Sequence, residues 1–245
     1  MHYIKIIFDL DNTVLDFRDA EEKALKKIIE AYNLPYTEKT VNSYKEINHG
    51  LWRNLEEGII SREQLFSSRF ALFLGAFGLQ VNGKQVDDLY RQNLGEGHKK
   101  VDHAHELLTA LKNNGYHLYA GTNGVAKTQW QRLKGSRLVH FFEEVFISEE
   151  IGVEKPDPKF FEHIFQTLKT DNKKQFLMVG DSLTSDIQGA NNAGIDSVWF
   201  NPTGEQKSLS SVSAQSTYTI GNLLELLSLF GIESEKSTLS NNTFD

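Results

Sequence analysis

Apolar positions along the chain follow two different spacings. Near the start, Ile6-Ile7-Phe8 is an unbroken apolar run that stops abruptly at Asp9, as expected of a strand buried on both faces. From residue 18 to about 95, apolar residues recur every three or four positions: Ala20, Ala24, Leu25, Ile28 and Ile29; Ile47, Leu51 and Leu55; Leu65, Phe66, Phe70, Phe73 and Phe77. That spacing predicts a small helical bundle and no strand. Further on, the pattern predicts helix 105–114, strand 117–121, helix 126–138, strand 144–148, helix 158–168, strand 175–180, helix 184–193 and strand 196–200. Such alternation implies an α/β fold with a parallel sheet and helices on both faces. The expected organisation is a core of residues 1–17 and 98–232 with a helical cap, residues 18–97, inserted over the sheet's crevice. Hinges are expected at Asp16 to Arg18 and at Gly95 to Val101, where Gly95 and Gly97 permit unusual backbone angles. Residues 204–217 read as a loop, Leu223 to Phe230 as a closing helix, and 233–245 as a polar, disordered tail.

Composition narrows the class without choosing a function. With 245 residues and 39% hydrophobic content, the chain can bury one large core or a core with an insert. The absence of cysteine excludes disulfides, thiol catalysis and Cys-ligated zinc. No segment approaches the roughly 20 apolar residues of a membrane span, and the chain starts on a core strand rather than a cleavable signal, so a cytoplasmic protein with no membrane partner is expected. A net charge of -7 argues against a nucleic-acid polymer as partner but leaves single nucleotides open.

The chemistry gathers where predicted strands end. Asp9 and Asp11 follow the first strand at i, i+2, so both carboxylates leave the sheet on one side. Two such charges repel by about 4 kcal/mol at about 4 Å and an effective dielectric near 20, which calls for a cation between them. Asp181 ends a second apolar run, Phe176 to Gly180, and Asp186 lies in the turn that follows. Hard oxygen ligands with no Cys or His in either motif suit Mg²⁺. A third strand ends in Thr122-Asn123-Gly124, a hydroxyl, an amide and a flexible backbone ahead of a helix, which suits a phosphate. In Lys155-Pro156-Asp157-Pro158 a lysine precedes a proline-fixed helix start, a position from which its ammonium can serve the acids.

Plainer roles compete for some of these residues. Asp186 could serve only the dipole of its helix, Thr122 could cap the next helix, and Asn123 could be a turn residue. His98, His103 and His105 lack the spacing of a metal set. Trp52 and Arg53 could grip a base, but aromatic residues at helical spacing belong more often to a core.

Taken in order, Asp9-Leu10-Asp11-Asn12-Thr13, Thr122-Asn123, Lys155-Pro156 and Gly180-Asp181 through Asp186 resemble the four motifs of the haloacid dehalogenase (HAD) superfamily of hydrolases. Over residues 3–201 the chain is similar to that superfamily's pyrimidine 5'-nucleotidase branch, which clears non-standard nucleotides. It departs at Gly189-Ala190, where the branch often has two glycines, and at Ser136-Arg137-Leu138, where Ser-Gly-Leu is usual. The resemblance implies a Rossmann-like core with an all-helical cap, and a Mg²⁺-dependent phosphomonoester hydrolase working through an aspartyl-phosphate. It implies Asp9 as nucleophile and Asp11 as acid, then base. Lys155, Thr122 and the Asn123 backbone would hold the phosphoryl oxygens. Asp9, the Asp11 carbonyl and Asp181 would hold the metal, with Asp186 acting through water or orienting Lys155. Phe17, at the cap hinge, would line the leaving-group pocket. The implied partner is a small phosphate monoester, with nucleoside 5'-monophosphates and a pyrimidine preference foremost; the oligomeric state stays open. A phosphoglycolate or sugar-phosphate phosphatase or mutase would share this core, and a non-catalytic nucleotide-sensing module is a further alternative. The dehalogenase arm typically lacks the acid that Asp11 supplies.

Overall fold

The computed structural model describes residues 3–204 and 214–233. Most of the expected loop at 204–217 and nearly all of the expected disordered tail lie outside the described residues. The chain opens with β1 (Lys5–Phe8) and continues through α1 (Phe17–Ala31), α2 (Glu38–Glu56), α3 (Arg62–Gly75) and α4 (Gly83–Gly95). Then come α5 (Ala104–Asn113), β2 (His117–Thr122), α6 (Ala126–Ser136), β3 (Glu144–Ile147), the single turn α7 (Ser148–Ile151) and α8 (Pro158–Thr167). β4 (Phe176–Gly180) leads into a π turn, Leu183–Ile187, that continues as α9 (Gln188–Ala193), and β5 (Asp196–Phe200), β6 (Tyr218–Ile220) and α10 (Glu225–Leu229) follow.

Two compact units divide the chain. Among the described residues, one takes everything up to Asp16, Lys100–Ala126 and Ser136 onward; the other takes Phe17–Lys99 with Lys127–Gly135 of α6.

The first unit is built on one sheet of order β3-β2-β1-β4-β5-β6, every pair parallel. Ile7, Tyr119, Phe176 and Met178 pack on one face with Phe160, Phe161, Ile164 and Phe165 of α8 and Ala190 and Ala193 of α9. The alternate residues Ile6, Phe8, Leu177 and Val179 are equally buried, so the other face is covered too and the strands read as unbroken apolar runs. The chain runs outward from β1 through β2 to β3, then returns to β4 on the opposite side of β1. The strand order thus reverses between β1 and β4, and in open parallel sheets ligands bind outside the strand ends at such a reversal. Phe8 pairs with Val179, so Asp9 and Gly180-Asp181 leave the sheet beside one another.

The hydrophobic pattern predicts no strand at Tyr218–Ile220, yet β6 forms there. Three residues are too few to show alternation, and the strand exists through its pairing of Val198 with Tyr218 and Phe200 with Ile220.

In the second unit, side chains of Thr37, Ser61 and Asn82 accept from the first turns of α2, α3 and α4, and Ser61 with Gln64 closes a capping box. Ala24, Leu25, Ile28, Tyr44, Phe70, Phe73 and Tyr90 form its core. Threaded through that core is a buried polar chain. The Asn48 amide donates to Glu21 Oε1 (3.2 Å), Arg69 donates to Asn48 Oδ1 (3.0 Å) and to Asp87 Oδ1 (2.9 Å), and Arg91 lies 2.6 Å from Asp87 Oδ2.

Candidate active site

Asp9 is carried to the end of β1 by a strand held on both faces, since Ile6, Ile7 and Phe8 are wholly buried and the Asp9 N–H donates to Val179 O at 2.8 Å. After Asp9 the backbone folds back tightly. Leu10 O accepts from the Val14 and Leu15 N–H groups at 3.0 and 2.8 Å, and Asn12 takes the left-handed conformation at φ 60° that asparagine tolerates.

Lys155 is 1% exposed, and its ammonium spends its three protons on Asp9 Oδ1 (2.8 Å), Gly121 O (2.6 Å) and Asp186 Oδ1 (2.6 Å). Asp186 in turn accepts the Ser182 N–H on Oδ2 at 3.0 Å. A Cβ on Gly180 would stand 2.2 Å from that same oxygen, so only glycine lets Asp186 close over the end of β4. Asp9, Asp181 and Asp186 bring one carboxylate oxygen each to within 4.8 Å of one another. Asp11 stands outside that close set, half-buried, but its charge reaches Asp9.

Burial pushes the Asp9 carboxyl well above the usual carboxylate range; Lys155 opposes the shift, and Asp186, Asp181 and Asp11 add to it. Burial pulls the Lys155 ammonium down, but its ion pairs with Asp186 and Asp9 prevail and hold it protonated above its ordinary range. Three clustered acids against one ammonium leave an excess of negative charge, in an all-oxygen donor set. Both properties fit a hard divalent cation, with Asp9, Asp181 and Asp186 as the carboxylates able to hold it.

The remaining expected site residues are placed differently from one another. Thr122, buried at the end of β2, accepts the Gly124 N–H on its hydroxyl at 3.0 Å, which shapes the loop ahead of α6. The Asn123 side chain is bonded to the Lys155 backbone, donating to its carbonyl at 2.8 Å and accepting its N–H at 2.9 Å. Phe17 opens α1 in the helical unit, partly buried against that unit's core, with the Arg132 guanidinium 5.5 Å from its ring centroid. His103 bonds Glu106 at 3.1 Å and His98 bonds the Glu96 carbonyl at 2.9 Å, so neither joins the acidic set.

Residues 6–200 match the family model for haloacid dehalogenase-like hydrolases. The chain belongs to this family. It is 38% identical to the HAD-hydrolase YfnB of Bacillus subtilis over 96% of its own length and 98% of that protein's. The crystal structure of YfnB bound to magnesium superposes with a TM-score of 0.88, covering 95% of this chain and 100% of that one. Identity is also 38% to the pyrimidine 5'-nucleotidase PynA of Streptococcus pneumoniae, with both chains covered in full. The pyrimidine 5'-nucleotidase YjjG of Escherichia coli is 30% identical over 90% of this chain and 95% of its own. The chain is therefore an enzyme, a phosphatase of this family.

Sequence reasoning did not find the Gly121 carbonyl as the third partner of Lys155, nor the use of the Asn123 side chain. Gly121 had a usable signal, since a glycine inside a strand pattern often marks a close approach; a Cβ there would meet Ile7 at 2.9 Å. For Asn123 no local signal existed, because its partner is 32 residues away in the chain.

Proposed function

We propose that the protein hydrolyses phosphate monoesters through an aspartyl-phosphate on Asp9, with nucleoside 5'-monophosphates as substrates and pyrimidines preferred. The observation that carries the reaction is the buried Lys155 ammonium shared by Asp9 and Asp186 beside Asp181. By bonding Asp9 Oδ1, Lys155 fixes where the second carboxylate oxygen points, which is what in-line attack on phosphorus needs. An Asp9 oxygen bonds to phosphorus as the ester P–O bond breaks, and Asp11 supplies the proton to the departing alkoxide. Asp11 then takes a proton from water as that water attacks phosphorus, which releases inorganic phosphate and frees Asp9. The Thr122 hydroxyl and the Asn123 backbone hold the phosphoryl oxygens, and the Lys155 charge, seated between Asp9 and Asp186, offsets theirs through space. Mg²⁺ held by Asp9 and Asp181, with the Asp11 carbonyl and Asp186 in support, would supply further neutralisation of the transferring phosphoryl group.

The substrate class rests on PynA and YjjG, both named pyrimidine 5'-nucleotidases, and on full-length similarity to the first. We assign selection among leaving groups to the inserted helical unit, and Phe17 to the leaving-group pocket.

Phosphate release from dUMP, dTMP, UMP, AMP, phosphoglycolate and hexose phosphates, with Mg²⁺ and with chelator, tests the reading. The expected result is Mg²⁺-dependent turnover led by the pyrimidine monophosphates, and none detectable in Asp9→Asn. A leading sugar phosphate would overturn the substrate class, and an active Asp9→Asn would overturn the nucleophile.

A further inference from the structure

We propose that Trp199, which lies outside all four motifs, is a positioning residue for the metal-binding acids; the inference rests on the metal reading above. Trp199 lies on β5 opposite Gly180 of β4, and its ring packs on Leu183 and Ile187, the apolar side of the π turn. Its indole N–H donates to the Asp181 carbonyl at 3.0 Å. The next atom along that peptide is the Ser182 nitrogen, whose N–H donates to Asp186 Oδ2 at 3.0 Å. The peptide plane joining Asp181 to Ser182 is therefore gripped at both edges, by Trp199 on its oxygen and by Asp186 on its nitrogen.

That plane is the structural link between the two acids. Displacing it would carry the Asp181 Cα along, and with it the carboxylate, while withdrawing the donor that orients Asp186. Asp186 in turn holds Lys155 at 2.6 Å, and Lys155 holds Asp9 at 2.8 Å. The residues of the π turn close on themselves, since Asp186 and Ile187 both donate to Ser182 O at 3.1 Å. Asp181 precedes that closed turn, and the indole anchors it from the neighbouring strand. An indole offers one donor and no acceptor, so a half-buried ring placed this way holds a carbonyl and does nothing else polar.

The test is Mg²⁺ binding without substrate, by calorimetry, on the unsubstituted protein, Trp199→Phe and Trp130→Phe. Phenylalanine keeps the ring packing and removes the donor. Trp199→Phe should bind Mg²⁺ about 10- to 100-fold more weakly, the range for losing a group that orients a ligand, while melting as a folded protein. Trp130→Phe should bind as the unsubstituted protein does. In ¹⁵N-labelled protein, the Trp199 indole signal should shift on adding Mg²⁺ with the calorimetric midpoint. Its assignment by elimination from Trp52→Phe and Trp130→Phe needs no folded Trp199→Phe. Unchanged affinity in a folded Trp199→Phe, or an indole signal that stays still at saturating Mg²⁺, overturns the inference and leaves the metal site standing. No Mg²⁺ binding by the unsubstituted protein overturns the metal reading and this inference together.

Discussion

The side-chain amide of Asn123 pairs with both backbone groups of Lys155, as a neighbouring strand would. Lys155 must present a buried ammonium to three acceptors at once, and its backbone lies outside any helix or strand. Asn123 supplies the missing main-chain partner from the loop after β2. Alanine at 123 should lower kcat/KM about 10- to 100-fold, because small misplacements of a positioned charge cost on that scale, with little change in melting temperature. Asn123→Asp keeps the acceptor but sets a carboxylate oxygen against the Lys155 carbonyl where the amide donated, so it should fall at least as far as alanine. Steady-state kinetics of both variants beside their melting curves checks this, and an unaffected Asn123→Ala would remove the clamp from the account.

The polar chain in the helical unit should be the most sensitive part of that unit to truncation. Asp87 is fully buried between Arg69 and Arg91, and removing it takes the carboxylate from the buried Arg69 guanidinium, while Arg91 keeps its pair with Asp88. Asp87→Ala should cost about 3–5 kcal/mol, the range for breaking a buried ion pair from one side. Urea unfolding followed by circular dichroism measures it, and a loss below about 1 kcal/mol would mean that the arginines find other partners.

Arg137 occupies the left-handed region at φ 59° on an exposed turn between α6 and β3. It is also the position where the related branch usually carries glycine. A non-glycine residue there is strained by about 1–2 kcal/mol, part of which glycine returns as unfolded-state entropy. Arg137→Gly should therefore stabilise the protein by about 1 kcal/mol, or about 2–4 °C in Tm, as seen in a thermal melt. A lowered Tm would show that the arginine side chain contributes more than its backbone costs.

Alkaline pH should destabilise the fold through its tyrosines. Burial, with Glu143 alongside, pushes the Tyr119 phenol up to about 12, against an ordinary value near 10 in the unfolded chain. The neutral phenol is the form the fold favours, so this contribution is fully present below pH 10 and is lost as the pH rises toward 12. Tyr44 and Tyr90, buried together in the helical unit, shift in the same direction. Tm should fall between pH 10 and 12, and less steeply in Tyr119→Phe; equal slopes would discount Tyr119.

The acids were legible in the sequence because each follows an apolar run that could only be a buried strand, and parallel pairing carries such ends to one side of a sheet. The helical unit was legible from its spacing alone. Other features depended on partners that spacing cannot name. β6 is a strand through its pairing with β5, and Asn123 finds Lys155 across 32 residues. Arg69 and Asp87 sit at helical positions that look solvent-facing until the bundle closes around them. The first turn after β4 was expected as ordinary helix; its π geometry arises where Ile187 reaches back five residues to Ser182 O, which no propensity signals.

The acidic set is assembled from chain ends that are far apart in synthesis. Asp9 and its ammonium partner are separated by 146 residues, and Asp186 comes 31 residues later still. A nascent chain released from the ribosome only as far as β3 has its first carboxylate exposed at a strand edge, with no β4 beside β1 to bring the others. β4 is thus the strand that completes the site, and it inserts against β1, the first strand made. Loop closure over that distance is slow compared with local helix formation, so the helical unit can be complete while the site does not yet exist. Appearance of activity during refolding would then report the joining of the chain's two halves rather than the gain of helix, and the two signals should separate in time.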